Sequence, residues 1–242
     1  MKKCEKKSLR ELGLWKKLGI IAAMLFLAVI IVLGQRLSNY IIDQEVSGKN
    51  VTKTEKTEQK LVILDPGHGK SDSGKVGVNG ALEKDINLKV AKKLKELLEK
   101  QKVKILMTRD SDESIGDTKM DDMHARVDLI NQSDAALVVS IHQNSYTDAS
   151  VHGAQVFFYK GSEEGERAAL ILQEAMKKAD TGNTRKAKAD SSYYMLRKTE
   201  KPLVIVECGF LSNWEEAGLL DTQEYQEKMA EAICAGVMEY LE

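Results

Sequence analysis

Three apolar runs in this 242-residue chain end on side chains that can bind metal or move protons. LVILD (61–65) leads into Pro66-Gly67-His68, AALVVSIH (135–142) stops on His142, and LVIVE (203–207) stops on Glu207. In an open α/β sheet, ligands bind beyond the carboxyl ends of the strands, so two imidazoles and a carboxylate delivered there imply one shared site. Catalytic zinc is commonly held by three N/O ligands, with a separate carboxylate to move protons. Glu83 is the candidate third ligand, because it opens a helical pattern just after the His68 loop. Spacing leaves its alternative open, since an acidic residue in a first helical turn also answers the helix dipole. His142 reads equally as a hydrogen-bonded core histidine. Glu207 reads as a general base or as the partner of one of the many lysines, because a carboxylate ending so apolar a strand needs a partner. Cys208 should face the opposite side of its strand, into the core, while His124 and His152 fall at surface positions and Cys234 on the packing face of the last helix.

The elements that position these groups follow from periodicity. Further β-branched or aromatic runs occur at VKILMT (103–108) and GAQVFFY (153–159). Between the strands, Ile86, Val90, Leu94 and Leu97 recur at helical spacing, as do Val127 with Ile130, and Ala168, Ile171, Leu172 and Ala175. A last helix runs from about Gln223 to Leu241. The alternation predicts an α/β fold, a mostly parallel twisted sheet flanked by helices. A net charge of -1 excludes a general nucleic-acid binder, and three scattered cysteines exclude a disulfide framework or a cysteine metal site.

The N-terminal quarter reads differently. Residues 1–17 carry seven Lys or Arg against two Glu, a charge of +5, and precede an uncharged run of 17 residues from Leu18 to Gly34. At ~1.5 Å per residue that run spans ~26 Å, enough to cross a bilayer's hydrocarbon core. The positive-inside rule predicts a single-pass membrane protein with a cytoplasmic N-terminus and an extracytoplasmic domain. A cleaved signal peptide is the alternative, disfavoured by the length of the run and the lack of a clear A-x-A site. Residues 35–60 read as a polar linker, which leaves 61–242 as one catalytic domain.

Gly69 to Lys75 also matches the first seven positions of a phosphate-binding loop, G-x-x-x-x-G-K. Val76 stands where Ser or Thr would hold magnesium, and Gly77 and Gly80 oppose a helix at that point, so nucleotide binding is not expected.

DPGHG (65–69), LEKD (82–85), TRDSD (108–112), SIHQNS (140–145) and VECGFLSN (206–213) resemble, in order, the motifs of zinc-dependent N-acetylmuramoyl-L-alanine amidases. The resemblance covers residues 61–242. It implies one zinc ion on His68, Glu83 and His142, with Glu207 as catalytic carboxylate, cleaving the amide between N-acetylmuramic acid and L-alanine in peptidoglycan. The short anchor, Thr184-Arg185-Lys186-Ala187-Lys188 and Lys201-Pro202 are similar to a sporulation subgroup. Its members act on spore cortex at the forespore membrane, a step toward muramic-δ-lactam made with a partner deacetylase. Lys70, Lys75 and Gln143 depart from the family pattern, the two lysines adding charge near the expected zinc. Only ten residues separate His142 from Gly153, too few for the inhibitory helix of some relatives, so control falls to expression or an activator protein. A zinc peptidase cutting within stem peptides and a non-catalytic wall-binding module are the competing readings.

Overall fold

The computed structural model describes residues 59–242. The expected tail, membrane anchor and most of the linker lie outside them. Among the described residues no helix is long and apolar enough to cross a membrane.

Six strands form one sheet: β1 (Leu61–Pro66), β2 (Lys104–Met107), β3 (Ala135–Asn144), β4 (Gln155–Tyr159), β5 (Lys188–Asp190) and β6 (Leu203–Phe210). Their order is β2-β1-β3-β6-β4-β5. The first four run parallel, as the sequence predicts. β4 runs antiparallel to β6, and β5 lies parallel to β4. The sheet is therefore mostly parallel, as expected, but mixed, with a single antiparallel junction between β6 and β4 that the sequence did not show. No helix intervenes between β3 and β4 to carry the chain back across the sheet, so β4 starts at the edge where β3 ends and runs the other way.

Alternation along the strands divides the core into two layers. Val62, Leu64, Val139, Ile141, Val204 and Val206 face α1 (Glu83–Lys100), α3 (Glu163–Ala179) and α6 (Gln223–Leu241). Ile63, Val138, Phe157 and Ile205 face α2 (Lys119–Asn131) and the short α4 (Tyr194–Lys198). The seven-residue α5 (Trp214–Leu220) follows β6. Side-chain caps start several helices, with Thr118, Ser162, Asn213 and Thr222 each accepting from a backbone N–H in the first turn. Cys208 joins the first layer, as expected, and Cys234 packs against it. His124 and His152 are exposed.

Asp65 sits at the end of β1, on the α2 side, with almost no solvent exposure. Arg126 of α2 donates to Asp65 Oδ1 at 2.7 Å and to Asp122 Oδ2 at 2.7 Å, while Thr108 and Ser140 hydroxyls each donate to Asp65 at 2.7 Å. Burial pushes the Asp65 carboxyl up, but the Arg126 charge and these hydrogen bonds outweigh it and hold the group at about 2. A carboxyl depressed on folding contributes stability fully present above its unfolded value of 3.8, and lost as pH falls through 3.8 toward 2. The contribution is about 2 kcal/mol. Urea unfolding at stepped pH should show that loss between pH ~4 and ~2. Asp65→Asn should lack it and be less stable at neutral pH by ~2 kcal/mol, because Arg126 would be left buried with Asp122 as its one carboxylate partner.

Candidate metal centre

The loop after β1 places His68. His68 adopts a positive φ of 64°, a left-handed conformation uncommon for a residue with a side chain. Arg126 Nη2 donates to the His68 carbonyl at 2.8 Å, and Arg109 reaches the carbonyls of Pro66, Gly67 and Lys84 at 2.8 to 3.0 Å. Two buried guanidiniums thus hold a backbone conformation that the loop would not keep alone. Asn87 Nδ2 adds a second bond to the Gly67 carbonyl at 3.1 Å. Glycine is required beside the ring at two points. A Cβ on Gly67 would overlap the His142 imidazole, and one on Gly74 would lie 2.5 Å from Glu83 Oε2 and 2.6 Å from His68 Cδ2.

Glu83 occupies the first position of α1, where Lys75 N–H donates to its Oε2 at 2.7 Å and Gln143 N–H to its Oε1 at 3.1 Å. Its Oε1 also lies 3.1 Å from His68 Nε2 and 2.9 Å from His142 Nδ1. The two imidazoles meet edge to face, their centroids 5.0 Å apart. One donor atom each from His68, Glu83 and His142 falls within 4.8 Å of the others. The structure therefore brings together the three expected ligands. Its geometry favours Glu83 as part of the cluster over a residue that merely caps α1, since both carboxylate oxygens point away from its own first turn.

Electrostatics give the cluster a clear sign. Burial pushes Glu83 up, yet the two histidines beside it hold its carboxyl far below the usual range. Burial pushes His142 down, yet Glu83 and the charge of Glu207 raise it to about 8. The Glu83 carboxylate is kept ionised, and the carboxylates around His142 draw positive charge to the cluster, which is the field of a cation site. Two N donors and one O donor around one point suit zinc, with Asp72 Oδ2 accepting from His68 Nδ1 at 2.9 Å and so directing Nε2 into the cluster. Lys119 pairs with Asp72 at 3.1 Å. A small cavity of about 80 Å³, lined in part by His68, His142 and Met195, opens the cluster to solvent.

Glu207 lies beside His142 in register on the adjacent strand, 5% exposed. Tyr193 donates to its Oε1 at 3.2 Å, and its Oε2 is buried with no hydrogen-bond partner among the described residues. Burial raises the carboxyl to about 7, against the lowering charge of His142. Among the described residues no lysine pairs with it, so the plain ion-pair alternative finds no support there.

The sequence reading missed Asp72, Arg109, Arg126 and Tyr193. Asp72 stands four residues after His68, a spacing that could have marked it as an orienting carboxylate. Arg126 and Tyr193 carried no signal, because their partners are far away in sequence. Lys70 and Lys75 are exposed, so solvent screens the charge they bring. Gln143 points away from the cluster, into the α1 layer, where its Nε2 donates to Asn87 Oδ1 at 3.0 Å.

Residues 62–239 match the family model described as N-acetylmuramoyl-L-alanine amidase. The chain belongs to the N-acetylmuramoyl-L-alanine amidase family. It is 39% identical over 189 residues to the germination-specific N-acetylmuramoyl-L-alanine amidase of Bacillus subtilis, covering 75% of this chain and 79% of that protein. It also resembles the structure of the CwlD amidase from Clostridioides difficile in complex with the GerS lipoprotein. There the TM-score is 0.73 and the identity 36%, over 75% of this chain and 98% of that one. The amidase AmiC2 of Nostoc punctiforme matches with a TM-score of 0.69 and 33% identity, over 76% of this chain and 97% of that one. The family's enzymes hydrolyse the bond between N-acetylmuramic acid and L-alanine, and this chain is an amidase of that class.

Asp72→Asn should keep the fold, since Asp72 is partly exposed, but should weaken zinc binding about tenfold to a hundredfold. Competition against a chromophoric chelator, beside a thermal melt, checks both.

Proposed function

We propose that this amidase is zinc-dependent and membrane-anchored, and that it strips stem peptides from spore peptidoglycan. In this reading His68, Glu83 and His142 hold zinc and Glu207 moves the protons. The observation that carries it is the pairing of a three-donor cluster with a buried carboxylate, Glu207, one of whose oxygens is unpartnered.

Zinc, when bound, supplies Lewis acidity to the scissile carbonyl and to the attacking water. The protein residues divide the remaining work. Tyr193 fixes Glu207 through Oε1, which leaves Oε2 to accept the proton of the attacking water. Glu207 then passes that proton to the nitrogen of L-alanine as the amide breaks, releasing a free amino end on the peptide and the lactyl carboxylate on the glycan. A carboxyl raised to about 7 suits a group that must both take and give a proton near neutral pH. Asp72, bonded to His68 Nδ1, keeps the ring from turning during that exchange, and Arg126 holds the backbone carbonyl of the same residue.

The cellular part of the proposal rests on sequence. Residues 1–17 form a cytoplasmic basic tail, 18–34 a membrane anchor and 35–60 a linker, which puts 61–242 on the outer side, between the membranes of a forespore. Similarity to a germination-specific amidase supports a role in spore cortex, with peptide removal preceding a deacetylase in muramic-δ-lactam formation. A lipoprotein partner is part of the reading, because the similar CwlD structure is a complex with one.

Mass spectrometry of peptidoglycan digested by the detergent-solubilised full chain with zinc tests the chemistry. Stem peptides with free L-alanine amino ends and peptide-free glycan are expected, and Glu207→Gln should lower the rate by about 10²- to 10⁴-fold. Cuts inside the peptide would make the protein a peptidase. Zinc binding without any release would point to a missing activator or to a wall-binding module.

A further inference from the structure

The segment Thr184 to Lys188 takes no part in the chemistry above, yet it lies on the same face of the sheet as Glu207. Gln155 of β4 is in register with Glu207, and Phe157 with Lys188 of β5. Side chains at 207, 155, 157 and 188 therefore share one face. They border a groove of about 440 Å³ whose walls include Tyr146, Phe157, Tyr193 and Phe210, within the size range of small-ligand sites. Tyr193 joins the groove to the catalytic carboxylate.

Two cations line this groove and neither makes an ion pair among the described residues, although the charge of Lys188 reaches Asp190 and that of Arg185 reaches Glu216. Arg185 is held in place, donating from Nε to the His152 carbonyl at 2.7 Å and from Nη1 to Gln155 Oε1 at 3.1 Å, with its guanidinium carbon 4.5 Å from the centroid of the Phe210 ring. Its Nη2 makes no hydrogen bond within the described residues. Lys188 lies 5.7 Å over the Phe157 ring and makes no ion pair. The groove's acid, Asp190, is turned to its own loop, where Oδ1 accepts from Ser192 N–H and Oγ at 2.6 Å each. An aromatic-walled groove with a fixed guanidinium and a free ammonium is complementary to a carboxylate.

The substrate decides which carboxylate. In uncut peptidoglycan the glycan's own lactyl carboxyl is tied up in the scissile amide, so the anions near the reacting bond belong to the stem peptide. Its second residue, a γ-linked D-glutamyl, carries a free α-carboxylate within ~7 Å of the scissile nitrogen, two residues at ~3.4 Å each. Two strand spacings of ~4.8 Å and two residues along the strand put the Lys188 Cα ~12 Å from that of Glu207. An extended dipeptide and a lysine side chain together bridge that span.

We propose that Arg185 and Lys188 form a carboxylate subsite that grips the stem peptide by the free α-carboxylate of its second residue. The proposal rests on the amidase reading and names the part of the substrate that this side of the site recognises. The subsite sets the direction of the substrate, with the peptide running toward β5 and the glycan away from it.

Binding of product peptides separates this proposal from the chemistry. Calorimetry on the full chain in detergent would compare L-alanyl-γ-D-glutamyl-L-lysine amide with the same peptide carrying D-isoglutamine, whose α-carboxyl is an amide. The carboxylate form should bind about fivefold tighter, and the difference should shrink at high salt. Lys188→Gln should remove most of that preference while leaving the D-isoglutamine peptide's affinity unchanged, and Lys188→Glu should reverse it. Equal binding of the two peptides by the unmodified protein, binding of neither, or a preference that survives both substitutions would overturn the subsite. Selective binding without any peptidoglycan cleavage would leave the subsite standing and overturn the amidase chemistry instead.

Discussion

The buried guanidinium of Arg126 is the fixed point of the site. It reaches from α2 to Asp65 at the end of β1, to Asp122 on its own helix, and to the carbonyls of Pro66 and His68. Taking these charges out of water is expensive, and an apolar substitute of similar volume would often be as stable. What apolar packing could not supply is direction. A carbonyl at a left-handed residue needs a donor in one place, and a planar guanidinium with five N–H groups provides donors at fixed angles. His68 keeps its orientation because Arg126 and Arg109 hold the backbone beneath it, and the cluster keeps its shape because His68 does.

Three parallel strands and the side chains at their ends were legible in the sequence, because fully buried strands are continuous apolar runs and a polar residue ending one stands out. β1, β3 and β6 place Asp65, His142 and Glu207 where the pattern puts them, and α1 begins at Glu83. The last helix matches its expected span, Gln223–Leu241. Direction was not legible in β4, whose residues QVFFY carry the same alternation whichever way the strand runs. The ten residues between Asn144 and Gln155 held the answer, since so short a connection without a helix keeps the chain at one edge of the sheet. β5 was invisible, being three residues, Lys188-Ala189-Asp190, two of them charged, with no apolar run to detect. The helices α4 and α5 are too short to show periodicity. At the site, what escaped the sequence were contacts between distant positions: Arg126 with Asp65 across 61 residues and Tyr193 with Glu207 across 14.

Two carboxylates in one pocket meet opposite fates, and the difference lies in what faces them. Glu83 and Glu207 are both buried, so desolvation disfavours the charge of each. Glu83 receives two backbone N–H bonds and two imidazoles, and remains ionised. Glu207 receives one phenol and keeps one oxygen unbonded, so its proton affinity rises. A ligand must hold its charge, whereas a proton carrier must be able to lose it. The backbone contributes to that separation, because the Lys75 loop and Gln143 of β3 supply N–H donors to Glu83, while the N–H groups around Glu207 are already used in the sheet.

The reversed edge completes the arrangement. Had β4 run parallel to β6, its first residues would lie at the far edge of the sheet and Gln155 could not stand beside Glu207. Because it runs back, β4 begins at the catalytic edge, and the chain that returns to pair with it as β5 passes Arg185 and Lys188 along the same face. Parallel strands concentrate reactive groups at their carboxyl ends. An antiparallel neighbour starts there instead and leads away, laying a track of side chains from the reacting bond outward. The mixed sheet thus joins two needs in one surface: the parallel part gathers the groups that cut, and the reversed part extends the surface along which a linear peptide can lie.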